Sequence, residues 1–410
     1  MSDFYQTGVV TTLHRLGTRS LEAMETDLIR YTDHRRVALV LPCLIGELER
    51  PALRGILKEL SMVKYIDQIV ISLGLADEEQ FRYASQYFSV LGQPYRIIWN
   101  EGPNIQALYG SLEKSGLSGG ENGKGRACWI AYGYVLAQEK FDVIALQDCD
   151  VVTFHRSMLA RLIYPLVDPN LDFKFSKGYY ARVTDRLHGR GTRLLITPLI
   201  RSLMRLIGGH DFLRYLDSFR YPLAGEFAMK ADLARSIRIP NDWGLEIGML
   251  AEVYRNTAVR RVCQIDIADQ YDHKHQALSP DNPREGLMRM ALEISQTLFR
   301  TMAAEGIELS RGLFTSLLAA YLRTAEDTIV RYHADAIVNG LGFDRHGEEV
   351  AVDTFARAIK EASERFVEDP LGKPNLPNWM RITSAQPDFF EHLLEAVELD
   401  SQNAMSAVSR

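Results

Sequence analysis

From Arg36 to Trp99, short apolar runs alternate with segments of helical length, and this alternation constrains the chain more than any other feature. Val37-Ala38-Leu39-Val40-Leu41-Pro42, Gln68-Ile69-Val70-Ile71-Ser72-Leu73 and Arg96-Ile97-Ile98-Trp99 read as strands. Nearly continuous apolar and β-branched runs suit strands buried on both faces. Between them, Glu49 to Lys64 and Asp77 to Phe88 read as helices. Parallel strands need long crossovers, so this order predicts an α/β fold with a mostly parallel sheet flanked by helices.

The pattern continues. A Gly/Ser-rich loop, Ser115 to Gly125, delivers Gly123-Lys124-Gly125 to a helix predicted over Arg126 to Gln138. The next strand, Asp142 to Gln147, ends directly in Asp148-Cys149-Asp150. Ligands of open α/β sheets bind beyond the carboxyl ends of strands, which is where this acidic pair falls. Further strands are expected over Phe173–Ala181 and Arg261–Ile267, and helices over Thr192–Ile207 and Asp242–Arg255. From about residue 285 three apolar stripes at helical spacing predict a helical extension. They run from Leu287 to Met302, from Leu313 to Leu322 and from Val352 to Ile359. Leu13, Leu16, Leu21, Met24, Leu28 and Tyr31 likewise suggest a helical lead-in. The expected division is 1–35 as lead-in, 36–284 as catalytic domain and 285–410 as C-terminal extension.

Charge narrows the class. The formal net charge is −6, which argues against a nucleic-acid binder that relies on a basic surface. Yet residues 171–220 hold ten Lys/Arg against four Asp and no Glu, a local excess that suits an anionic ligand. The apolar run Val37 to Ile45 has about nine residues, short of the roughly 20 that span a bilayer. Met1-Ser2-Asp3-Phe4 lacks a leader pattern. Cys43, Cys128, Cys149 and Cys263 are spaced neither for zinc nor for a dense disulfide frame. A cytoplasmic protein with reduced thiols is expected, with no membrane partner.

Several clusters carry chemistry. Two carboxylates two residues apart in a post-strand turn can reach one divalent cation, and hard oxygen ligands suit Mg²⁺ or Mn²⁺ held against phosphates. Lys124 between glycines can meet a phosphate, although no Walker A pattern surrounds it. Gly189-Arg190-Gly191-Thr192 opens an apolar helix, so backbone N–H groups, the Thr192 hydroxyl and the Arg190 guanidinium can form an anion pocket. The same stretch is similar to the glycine-rich signature of sugar nucleotidyltransferases, but that signature follows the first strand and this one comes far later. Tyr221-Pro222-Leu223-Ala224-Gly225-Glu226 places small residues before an acid. Glu246 in Gly244-Leu245-Glu246-Ile247-Gly248 sits in a helix's first turn, where a carboxylate also stabilises the helix dipole. His273 in Asp272-His273-Lys274-His275 can complete a metal site begun by Asp150.

Taken in order, these motifs resemble the retaining GT-A glycosyltransferases of the glucosyl-3-phosphoglycerate synthase type (glycosyltransferase family 81), a group that includes mannosyl-3-phosphoglycerate synthases. The P-L-x-G-E and G-x-E-I-G segments are the most specific parts, and the resemblance covers about residues 36–285. It implies a Rossmann-like GT-A fold. Pro42, Glu47 and Ser72 would then contact the nucleotide base and ribose, Lys124 would lie near the nucleotide, and Asp148 on the ribose or metal side. Asp150 and His273 would hold Mg²⁺ or Mn²⁺. Arg190, Gly191, Thr192 and His275 fall in the acceptor region, where some members carry asparagine at the position of His275. Leu223, Ala224 and Gly225 would lie near donor sugar and acceptor, and Glu246 beside the donor sugar.

The expected reaction moves glucose from NDP-glucose (GDP- or UDP-glucose) to the 2-hydroxyl of 3-phospho-D-glycerate, giving a precursor of the compatible solute glucosylglycerate. Mannosyl transfer, direct glucosylglycerate synthesis and sugar nucleotidyl transfer are the alternatives. The C-terminal extension is longer than in compact members of the resembled family, which implies the family's longer branch and a homodimer contact.

Overall fold

The computed structural model describes residue 6 and residues 8–17, 19–273, 277–280 and 282–406. His275 lies outside the described residues. The strands are β1 (Thr11–Leu13), β2 (Val37–Leu44), β3 (Gln68–Gly74), β4 (Tyr95–Trp99), β5 (Val143–Leu146), β6 (Phe175–Tyr180), β7 (Phe227–Lys230) and β8 (Val262–Ala268). They form one sheet in the order β1-β8-β6-β7-β5-β2-β3-β4. Every pairing is parallel except those of β7, which runs antiparallel to β5 and β6. Strands β2, β3 and β5 are almost wholly buried, as their apolar runs predict.

The chain winds from β2 to β3 and β4 on one side, then returns to place β5 on the other. This reversal opens a crevice at the carboxyl ends of β2 and β5. The β2–β5 pairing stops at Val40↔Leu146, whereas β2–β3 continues to Leu44↔Gly74. Gln147 donates its N–H to the Val40 carbonyl at 3.1 Å. Pro42, two residues on, turns its nitrogen to the same side, beyond the end of β5. A proline in a central strand is tolerated here because no ladder bond is lost.

The expected helices appear, with Pro51–Leu60, Glu78–Phe88 and Leu245–Asn256 slightly shorter than their sequence patterns. Asp77 and Gln80 close a capping box on Glu78–Phe88. Helix Lys124–Ala137 is buried nearly all round, because the sheet covers one side and the C-terminal helices the other. Trp129 stacks on Trp379 at 4.2 Å and donates its indole N–H to the Pro377 carbonyl at 2.7 Å. The chain after residue 285 forms helices Gly286–Ala304, Arg311–Val338, Arg345–Glu368, Trp379–Ala385 and Phe389–Ser406. Their apolar faces join the core on that face of the sheet.

Some local expectations need correction. The lead-in is not wholly helical: Leu13 lies in β1, paired with β8, and the helix there is Leu21–Thr32. A register of leucines does not distinguish an edge strand from a helix over so few residues. Helix Pro103–Lys114 and the short β7 carried no pattern strong enough to identify. The helix expected over Thr192–Ile207 opens with a π-helical turn, Gly191–Ile196, before the α-helix Thr197–Ile207. Pro198 has no N–H to give the Leu194 carbonyl four residues back, and the Tyr321 hydroxyl donates there instead at 2.7 Å. No helix among the described residues is long and apolar enough to cross a membrane. All four cysteines are buried and free.

Candidate active site

At the mouth of the crevice, Asp148 and Asp150 face outward while Cys149 between them is buried. The turn after β5 keeps the two carboxylates close enough for Asp148 to act on Asp150. Lys124, at the start of its helix, lies between two acids. Its Nζ is 2.8 Å from Asp148 Oδ1 and 3.2 Å from Glu246 Oε1. Burial opposes the ammonium charge, but Asp148 and Glu246 more than offset it and hold Lys124 protonated well above the usual lysine range. Gly123-Lys124-Gly125, Asp148 and Glu246 therefore converge as one cluster.

Gly225 meets this cluster through its missing side chain. A Cβ at that position would lie 2.1 Å from Asp148 Oδ2. The Leu223-Ala224-Gly225 turn is supported from below by Lys177, a fully buried residue of β6 that donates to the Ala224 carbonyl. Burial pulls the Lys177 ammonium down to about 8, with Glu246 and Glu226 holding it up. Gly191 makes a second close approach: a Cβ there would meet Met290 Cε at 2.9 Å and Leu223 Cδ1 at 3.3 Å. The Gly189–Thr192 segment is thereby pressed against the Leu223 turn.

His273 reaches Asp150 because the chain after β8 folds back along the post-β5 turn. Val151 and His273 form an antiparallel bridge, and Val152 donates its N–H to the Asp272 carbonyl at 2.8 Å. His273 Nδ1 is then 3.7 Å from Asp150 Oδ2. Burial and the nearby Asp148 raise the Asp150 carboxyl to about 6, with Lys124 opposing and Glu47 adding to the rise. Among the described residues, no group of three or more His, Cys, Asp and Glu is arranged to hold a metal. A carboxylate and an imidazole form a partial set, as expected for a hard cation that takes its remaining ligands from phosphate and water.

A second layer supports His273. Tyr271 donates its hydroxyl to the buried Glu226 carboxylate, which also accepts from Gln147 Nε2 at 3.3 Å. Its ring stacks on Tyr180 and meets the His273 ring edge-on at 5.7 Å. Burial, then Asp148, raises the Glu226 carboxyl to about 7, against the Tyr271 bond. No sequence motif marks Lys177 or Tyr271, and Glu226 has no role assigned by its motif. A lysine inside an otherwise buried strand pattern was the one available signal.

The remaining residues fall into two groups. Glu47 is buried in the 3₁₀ turn Ile45–Glu49, 3.5 Å from Arg50, and Pro42 lies opposite Ser72 in the β2–β3 register. Ser72 is fully buried and accepts from Asn100 Nδ2 at 2.9 Å, so its hydroxyl is not presented to the crevice. Thr192 is buried, and among the described residues its hydroxyl has no hydrogen-bond partner. Arg190 is turned onto Glu348 of the C-terminal helices, a partner that sequence alone did not suggest.

Comparison with known proteins agrees with this architecture. The chain is 46% identical over 403 residues to the glucosyl-3-phosphoglycerate synthase of Persephonella marina, covering 98% of this chain and 100% of that one. It is 40% identical over 403 residues to that of Methanococcoides burtonii, covering 97% and 98%. A crystal structure of glucosyl-3-phosphoglycerate synthase from Mycobacterium tuberculosis, with Mn²⁺, UDP-glucose and phosphoglyceric acid, shares the fold. Its TM-score is 0.53 at 20% identity, over 73% of this chain and 89% of that one. No family model matches the chain. Its end-to-end similarity to named relatives decides the matter: the chain belongs to the glucosyl-3-phosphoglycerate synthase family.

Proposed function

We propose that the protein transfers glucose from NDP-glucose to the 2-hydroxyl of 3-phospho-D-glycerate with retention at the anomeric carbon. The observation that carries this reading is the 46% identity along the whole length of a glucosyl-3-phosphoglycerate synthase. The geometry fits it. Asp150 and His273, 3.7 Å apart, would hold Mg²⁺ or Mn²⁺ at the mouth of the crevice; the Mycobacterium tuberculosis enzyme binds Mn²⁺ together with UDP-glucose. Such a cation neutralises the leaving diphosphate.

The chain's own residues bind and orient. Pro42 and Glu47 frame the base and ribose side, with the buried Ser72 supporting Pro42 from the neighbouring strand. Asp148 reaches the ribose side while Lys124 balances its charge and that of Glu246. The Leu223-Ala224-Gly225 turn, braced by Lys177, floors the sugar pocket. Glu246 is tied to Lys124, which favours attack from the leaving-group face over a covalent role for this carboxylate. Arg190 and Thr192, whose buried hydroxyl has no hydrogen-bond partner among the described residues, orient the phosphate and carboxylate of the acceptor, supplying proximity.

In the same reading, residues 36–284 are the catalytic unit and 285–410 its extension. The protein works in the cytoplasm, where free cysteines persist. A second copy packs on the exposed Val330, Ile337 and Val338 of helix Arg311–Val338, which light scattering would show as twice the chain mass. Incubation with a panel of NDP-sugars and either 3-phosphoglycerate or glycerate, with and without Mg²⁺, tests the activity. Release of NDP and formation of a glucoside only with glucose donors, phosphoglycerate and metal is the expected result. Pyrophosphate release from NTP and sugar phosphate would overturn it.

A further inference from the structure

The C-terminal helices carry a carboxylate into the anion-binding loop. Glu348 sits in the first turn of helix Arg345–Glu368 and is only 4% exposed. Its Oε1 accepts from Arg190 Nε and its Oε2 from Arg193 Nη1, each at 2.8 Å. Arg193 is buried, donates Nε to the His188 carbonyl at 2.7 Å and lies over the Tyr332 ring at 4.8 Å. Arg190 differs. Its side chain is 34% exposed, and the Glu348 bond takes only Nε, so among the described residues both Nη groups are left for another ligand.

Two further contacts come from the same helical pair. The Gly342 N–H, in the turn between helices Arg311–Val338 and Arg345–Glu368, donates to the Asp185 carbonyl at 2.8 Å. Tyr321 satisfies the Leu194 carbonyl freed by Pro198. The segment around Arg190 is therefore gripped before, at and after that residue by elements of the extension.

A purely stabilising ion pair is a weak explanation, because burying charges costs about as much as their attraction returns. One carboxylate against two guanidiniums also leaves positive charge, and the exposed edge of Arg190 is where it can be used. We propose that Glu348 is a positioning residue for the acceptor. It fixes the plane of the Arg190 guanidinium so that its Nη edge meets the phosphate or carboxylate of phosphoglycerate. The C-terminal extension is then part of the acceptor site. This rests on the reading of Arg190 as acceptor-binding.

Steady-state kinetics of the full chain test it, with donor and acceptor varied separately and a urea midpoint taken for each variant. Glu348→Gln keeps the volume and loses the charge. The expected result is an acceptor KM raised roughly tenfold or more, a donor KM changed less than about twofold, and partial recovery in Glu348→Asp. An unchanged acceptor KM in folded Glu348→Gln, or an equal rise in both KM values, overturns the proposal. Arg190→Ala separates the two readings. If it raises the acceptor KM while Glu348→Gln does not, Arg190 keeps its role and only the positioning falls; if it has no effect, both fall. Should Glu348→Gln fail to fold, Glu348→Asp decides, and failure of both makes the pair a fold-holding contact and overturns the proposal.

Discussion

His273 Nδ1 and Asp150 Oδ2 lie 3.7 Å apart, although the residues come from segments after β8 and β5. Asp150→Ala removes the carboxylate from this pair without opening the core, so folding should persist and metal-dependent turnover should vanish. Proton and cation compete for Asp150, whose carboxyl titrates at about 6. Mn²⁺ affinity should therefore weaken as pH falls through that value. Titration calorimetry across pH, on wild type and variant, checks both points; full activity of Asp150→Ala would remove the metal assignment.

Lys124 holds two carboxylates that would otherwise repel each other. Lys124→Met should destabilise the fold by about 1–3 kcal/mol, the cost of leaving half-buried polar groups unpaired. The donor KM should rise more than the acceptor KM. Urea midpoints and separate substrate titrations measure the two effects.

Gly225→Ala places a methyl where a Cβ would lie 2.1 Å from Asp148 Oδ2. Either the turn or the carboxylate has to move. A loss of roughly a hundredfold in kcat/KM is expected, with little change in circular dichroism, because the displacement is confined to the crevice.

Glu226 predicts a pH dependence of stability. Its native carboxyl keeps a proton up to about 7, whereas an unfolded glutamate releases it near 4.3. The native state thus binds more protons between those values, and stability falls as pH rises through that window, then levels off. Glu226→Gln should remove this slope. Urea midpoints between about pH 5 and pH 8 give the comparison, and an unchanged slope in the variant would assign it elsewhere.

The parallel half of the sheet was legible because buried strands are written as continuous apolar runs, a local property of Val37–Leu41, Gln68–Leu73 and Val143–Leu146. Asp148 and Asp150 were legible for the same reason, since they follow such a run directly. Lys124, Glu246 and Gly225 could be marked from their motifs, but not their mutual contacts. The antiparallel β7 was not legible: four residues, Phe227–Lys230, hold too little pattern to declare a direction.

Sequence by itself determined the strand-helix alternation, the acidic turn after β5 and the family of the chain, because each depends on residues close together or on matches read in order. Tertiary structure alone decided that Lys177 supports Ala224, that Tyr271 carries Glu226 toward His273, and that Glu348 reaches Arg190. Those pairs join elements distant in the chain, and a buried charge acquires its partner only when packing brings the two surfaces together and excludes water between them.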